Sequence, residues 1–248
     1  MRISGIVIRL SVVVATIVVA GCYARDGERE DADSGAPLLD KSNDDGQTSE
    51  PFAYFEDFHD DPGWSVSDPE KYYWDPTCEC FFLTMEGGEV THGYAYVDLA
   101  AMGFEFGPIR LTYEIKIRDL TWGANAGLMF LTESLDRDRA IIQAIYGFAD
   151  PGHAVGISVF PYFYAEYLGD DAWEAGVWMS NEILWDGVDV TFTERRSSVV
   201  TRILKIENSE VWTEDPVPYL GYSIVGYDLY ADSAAHAWID NIRLETLQ

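Results

Sequence analysis

Three sets of side chains in this sequence have the types and spacing to do chemistry. The first is a group of carboxylates near the two ends of the apolar part of the chain. Glu56 and Asp57 stand in Phe55-Glu56-Asp57-Phe58, and Asp240 stands in Trp238-Ile239-Asp240-Asn241-Ile242. If both segments are strands, side chains two apart share a face. Glu56 then lies with Tyr54 and Phe58, Asp57 with Phe55, and Asp240 with Trp238, Ile242 and Leu244, so Asp240 is expected to point inward. A carboxylate on an apolar face needs a partner, because an unpaired buried charge is costly. Calcium, which takes about six to eight oxygen ligands, suits such a group. Glu56, Asp57 and Asp240 are therefore candidate calcium ligands. The alternative is that Asp240 caps backbone N–H groups and Glu56 meets an arginine.

The second set is Cys78 and Cys80, in Pro76-Thr77-Cys78-Glu79-Cys80. Two residues apart in an extended strand is near the upper limit for a disulfide, so pairing needs a local bend, which Pro76 could begin. A bridge and two free thiols both fit the sequence. The third set is aromatic: Tyr72-Tyr73-Trp74, then Phe160-Pro161-Tyr162-Phe163-Tyr164, with Tyr167 and Trp173 close behind. Trp and Tyr offer broad apolar area with a polar edge, on which the C–H faces of pyranose rings can stack. Trp74, Tyr162, Tyr164 and Trp173 are the candidate ligand-binding residues. No residue is assigned a catalytic role. The chain has no Gly-x-Ser-x-Gly elbow, His-Glu-x-x-His helix or phosphate loop.

The elements that must position these residues are short and numerous. Ile109, Leu111, Tyr113, Ile115 and Ile117 alternate with polar residues, the pattern of a half-buried antiparallel strand. Similar runs occur at 52–58, 81–85, 94–99, 128–132, 140–148, 155–160, 177–183, 199–206, 222–230 and 237–244, separated by turns such as Glu86-Gly87-Gly88 and Asp150-Pro151-Gly152. Strands at this spacing, with no helical stripe among them, predict an all-β fold, either an antiparallel two-sheet β-sandwich or a β-barrel. Residues 52–248 read as one domain of this kind. The 43 acidic and 16 basic residues leave a net charge of −27, which argues against nucleic acid or an anionic lipid surface as the main partner.

The N-terminus differs. Arg2 and Arg9 precede an apolar run from Leu10 to Ala20, too short for the roughly 20 residues of a membrane span but suited to a secretory signal. Val19-Ala20-Gly21-Cys22 resembles the lipobox of bacterial lipoproteins, in which cleavage precedes a cysteine that then carries lipid. That resemblance makes 1–22 a signal peptide and Cys22 the lipid attachment site, with the membrane as partner. Tyr23 follows in place of the aspartate associated with inner-membrane retention, which favours the outer membrane where there is one. An ordinary signal peptide cleaved near Ala20 is the alternative. Residues 23–51 hold nine acidic and three basic residues, too polar to bury a core, and are expected to form a disordered tether.

Both ends of 52–248 carry a further resemblance. Acid-Phe followed by Asp61-Pro62-Gly63-Trp64, and the closing Ile239-Asp240-Asn241-Ile242, look like the concanavalin A-like lectin/glucanase group, with its laminin G-like modules and carbohydrate-binding modules. The resemblance implies a jelly roll whose first and last strands are neighbours, tied in related modules by a structural calcium. It implies a polysaccharide or other glycan as ligand. Hydrolases of this group carry carboxylates at alternate positions, as in Glu-x-Asp-x-Glu, and 52–248 has no such run. The expectation is thus a membrane-anchored, non-catalytic carbohydrate-binding protein. The alternatives are a glycosidase or polysaccharide lyase with a degenerate motif, or a structural or adhesive module that binds protein.

Overall fold

In the computed structural model the described residues are 51–86, 91–105, 107–121, 124–131, 142–149, 152–159, 162–167, 172–207, 219–226 and 234–247. The signal segment, Cys22 and the tether up to residue 50 lie outside them. Residues Thr48–Gln248 make one unit. Its strands are β1 (Ala53–Glu56), β2 (Ser65–Val66), β3 (Tyr72–Asp75), β4 (Cys80–Glu86), β5 (Thr91–Asp98), β6 (Ile109–Leu120), β7 (Ala124–Leu131) and β8 (Ile142–Ala149). They continue as β9 (Gly152–Val159), β10 (Tyr162–Tyr167), β11 (Trp178–Trp185), β12 (Val190–Arg196), β13 (Val199–Ile206), β14 (Tyr219–Gly226) and β15 (Ala234–Thr246).

Two antiparallel sheets form, so the fold is the sandwich and not the barrel. Sheet A has the order β13-β12-β11-β6-β15-β4-β3, with β1 paired to the far end of β15. Sheet B has the order β10-β9-β8-β7-β14-β5-β2. They face each other with β15 against β7, β4 against β14, β3 against β5, and β13 against β9 and β10. The first and last strands are neighbours, Ala53 opposite Glu245 and Glu56 opposite Ile242.

The core is the inner row of each strand. Ile109, Leu111, Tyr113, Ile115 and Ile117 of β6 are buried and meet Leu128 and Phe130 of β7 and Ile157 and Val159 of β9 in one cluster. Such side chains each contribute about 1.5–3 kcal/mol on leaving water. Gly93 of β5 is there because of Tyr72, whose fully buried ring crosses it: a Cβ on Gly93 would overlap the Tyr72 hydroxyl.

One polar hub interrupts this core. Glu194 of β12 is 0% exposed. Arg202 donates to its Oε2 at 2.9 Å, Arg196 and Thr201 donate to its Oε1 at 3.1 and 2.7 Å, and the Tyr146 hydroxyl of β8 lies 2.8 Å from Oε2. Arg202 also lies 3.7 Å from Glu166 of β10. The hub therefore joins one edge of sheet A to sheet B. Removing one member of a buried ion pair costs about 3–5 kcal/mol, because the remaining charges lose their partner. Glu194→Leu is accordingly expected to lower the melting temperature by roughly 10 °C, read by thermal denaturation. An unchanged midpoint would show that the hub does not hold the edge.

Candidate functional site

The outer face of sheet A is set by an irregularity in β15. Its inward side chains are Ala235, Ala237, Ile239, Ile242 and Leu244, a step of three where alternation requires two. The register with β6 shifts between Asp240 and Arg243, and Asn241 takes a φ of +50°. This is a β-bulge, which inserts a residue and re-aims the side chains beyond it. Strict alternation placed Asp240 inward with Ile242 and Leu244. The bulge separates them, and Asp240 faces outward with Trp238 and is only half-buried.

Around Trp238 the registers line up one row of side chains across five strands. Tyr73 of β3 is opposite Phe82 of β4, Phe82 opposite Trp238, Trp238 opposite Lys116 of β6, and Lys116 opposite Trp178 of β11. Ring centroids are 5.2 Å apart for Tyr73 and Phe82 and 4.9 Å for Phe82 and Trp238. Lys116 Nζ lies 4.5 Å from the Trp238 ring centroid and 4.7 Å from that of Trp178, holding both indoles by cation–π attraction. Tyr73 is 40% exposed, and Trp238, Lys116 and Trp178 are half-buried. These positions are at outward parity, where a sandwich normally places polar residues.

A polar row runs beside it: Asp240 opposite Glu114, Glu114 opposite Ser180, Ser180 opposite Arg195. Ser180 Oγ and Asn241 Nδ2 donate to Glu114 at 3.1 and 3.0 Å. Burial pushes the Asp240 carboxyl up to about 6, opposed by the Asn241 N–H it accepts and reinforced by the charges of Glu114, Asp57 and Glu79. Glu56 is also raised, chiefly by burial. Its Oε1 accepts from the Phe58 N–H at 2.9 Å, and Asp57 accepts from the His59 N–H at 3.2 Å. Asp57 and Asp240 thus come within electrostatic reach, whereas Glu56 is held on its own turn. Among the described residues no group of three or more His, Cys, Asp or Glu side chains is placed to hold a metal ion. The three expected calcium ligands do not converge.

The expected aromatic face does not assemble either. Trp74 turns inward from β3 and donates to the Phe58 carbonyl at 2.7 Å. Its neighbour Tyr73 is the one that faces out. Trp173 is 8% exposed, edge-on to Tyr146 in the core. Tyr164 is 45% exposed, but β10 and β3 are at opposite edges of the sandwich. Tyr162 is in β10, and its side chain is outside the described ones. Cys78 and Cys80 are joined in a disulfide, Cα atoms 5.2 Å apart, across a turn in which Glu79 takes a φ of +49°. On the outer face of sheet B, Tyr94, Tyr96 and Tyr219 cluster with centroids 5.9 and 5.1 Å apart. The centre of that face is covered, for Met129 and Ser158 are buried although they point away from the core. Among the described side chains the longer aromatic row is that of sheet A, which spans five strands where the tyrosines of sheet B span two.

The raised carboxyl of Asp240 has a consequence for stability. A group that holds its proton more tightly in the folded state than in the unfolded state makes stability fall as pH rises between the two values. For Asp240 that window runs from 3.8 to about 6. Asp240→Asn is therefore expected to be more stable than the parent above pH 6, with the advantage fading towards pH 4. Thermal melts across this range check it, and a difference independent of pH would contradict it.

No family model and no curated protein matches the sequence. Solved structures do match by fold. An immunostimulatory antigen and pseudo beta-1,3-glucanase of Mycobacterium tuberculosis superposes with a TM-score of 0.55 at 12% identity, covering 79% of this chain and 98% of that one. The lectin UEA-II, complexed with galactose, gives 0.56 at 13%, covering 80% and 100%. A Bacillus licheniformis beta-glucanase gives 0.52 at 10%, covering 82% and 100%. At these identities the likeness is one of architecture: the described strands form a jelly-roll sandwich with the fold of the concanavalin A-like lectins and glucanases.

Proposed function

We propose that this domain binds carbohydrate without catalysis, on the outer face of sheet A, as the exposed part of a lipoprotein anchored through Cys22. The observation that carries the binding reading is the row Tyr73, Phe82, Trp238, Lys116 and Trp178, which keeps aromatic side chains on the solvent side of a sheet. Burial in the core explains Trp173 and Trp74; in the row Phe82 is covered by its neighbours at 9% exposure, while Tyr73, Trp238 and Trp178 keep part of their surface in solvent. Stacking on an indole supplies apolar contact to the C–H face of a sugar. Lys116, Glu114 and Ser180 offer donors and acceptors for its hydroxyls. Support from the similar folds is general: a lectin in complex with galactose and beta-glucanases share the architecture.

Trp238→Ala and Trp178→Ala are each expected to weaken binding to a responsive polysaccharide about tenfold, close to 1.4 kcal/mol, with little change in melting temperature. Tyr94→Ala, on sheet B, should leave it unchanged. Affinity electrophoresis against a polysaccharide panel reads both. Binding lost with Tyr94 and kept without Trp238 would move the site to sheet B. Release of reducing sugar, abolished by Asp240→Asn, would replace the non-catalytic reading with a hydrolytic one. For the anchor, Cys22→Ser is expected to shift the protein from the membrane fraction to the soluble one. Unchanged membrane association would remove the lipid from the account.

A further inference from the structure

We infer that the row on sheet A selects an uncharged, extended glycan with a twofold repeat, the geometry of a β-(1→4)-linked pyranose chain. This rests on the carbohydrate reading above and adds the class of ligand. The five side chains stand on five adjacent strands, β3, β4, β15, β6 and β11, so the row runs perpendicular to the strands. Strand spacing of about 4.8 Å gives it a length near 19 Å. Trp238 and Trp178 are two strands apart, about 10 Å along the row, with Lys116 between them.

A β-(1→4)-linked chain is a ribbon in which each sugar is turned over relative to the last, so every second sugar presents the same side. Its rise per sugar is close to one strand spacing. Laid along the row, such a chain brings equivalent sugars over Trp238 and Trp178 and places the intervening one at Lys116. The lysine ammonium is a donor only and meets the ring and hydroxyl oxygens there. A β-(1→3)-linked chain coils and cannot keep successive rings on a straight row.

Charge separates the remaining candidates. Asp240 and Glu114 border the row on one side, and the chain as a whole carries −27. A polyuronate brought along the row meets those two carboxylates beside Trp238 and Lys116, with Lys116 the cation within the row and Arg195 beyond its β11 end. Neutral sugars avoid that repulsion.

The test is calorimetric titration of the full-length protein, parent and Trp238→Ala, with three hexasaccharides: neutral β-(1→4)-linked, neutral β-(1→3)-linked, and β-(1→4)-linked uronate. The parent is expected to bind the first at least tenfold more tightly than the other two. Its affinity should rise from disaccharide to tetrasaccharide, and Trp238→Ala should lose about tenfold. Lys116→Met keeps the aliphatic stem and removes the donors. It should weaken binding several-fold, and it serves where the alanine variant fails to fold. Equal or tighter binding of the β-(1→3) or uronate hexasaccharide, still dependent on Trp238, would overturn the ligand class and leave the carbohydrate reading standing. No binding to any of the three, or binding indifferent to both Trp238 and Lys116, would overturn both.

Discussion

β15 is held along both edges, and the placement of everything on sheet A follows from how it is held. On one side it pairs with β6 from Ala235 to Thr246; on the other it pairs first with β4 and then with β1. A strand fixed on both sides cannot slip, because a shift of one residue would exchange its buried and exposed faces. Its bulge at Asp240–Arg243 is therefore locked in place. Before the bulge, Ala235, Ala237 and Ile239 enter the core and Trp238 faces solvent. After it, Ile242 and Leu244 enter the core, and the extra residue leaves Asp240 outside. One inserted residue lets a long strand be apolar within at both ends while presenting an indole and a carboxylate side by side without.

The rest of the row depends on that alignment. Trp238 sits between Phe82 and Lys116 because β4 and β6 pair with the same stretch of β15. Lys116 then reaches both indoles, and Trp178 arrives through β11, the next strand. At the other end of sheet A the Glu194 hub ties β12 and β13 to β8 and β10. The sandwich is thus closed by apolar packing in its middle and by a buried charge cluster near one edge.

Much of this architecture was legible in the chain. Alternation marked β6 at Ile109–Arg118 and β13 at 199–206 within two residues of their observed ends, since each has one buried and one solvated face. β2, β3, β10 and β12 were not read as strands: β2 is two residues long, β3 is a short edge strand with aromatics on both faces, β10 is a short edge strand of aromatic-rich sequence, and β12 buries Phe192, Thr193 and Glu194 in succession beside a bulge. The site was harder to read for a related reason. Adjacent aromatics in a strand point to opposite faces, so choosing Trp74 over Tyr73 chose the wrong face by one residue. Trp173 lies outside any strand, and nothing local marks it as core. Asp240 was placed inward because the bulge at Asn241 has no signature in Ile239-Asp240-Asn241-Ile242 beyond an asparagine that tolerates positive φ. What could have pointed to the row is Lys116: the alternation already set it outward, and Trp178 and Trp238 stood in neighbouring strands whose pairing was unknown.

The most direct test of the central claim is heteronuclear NMR of the protein during titration with a bound oligosaccharide, following the two indole N–H signals of Trp178 and Trp238. Binding on the sheet A row requires those signals, and the amides of β15 around Trp238, to shift together and saturate, while Tyr94, Tyr96 and Tyr219 stay in place. Shifts confined to β5 and β14, with both indoles unmoved, would contradict it and put the ligand on the opposite sheet.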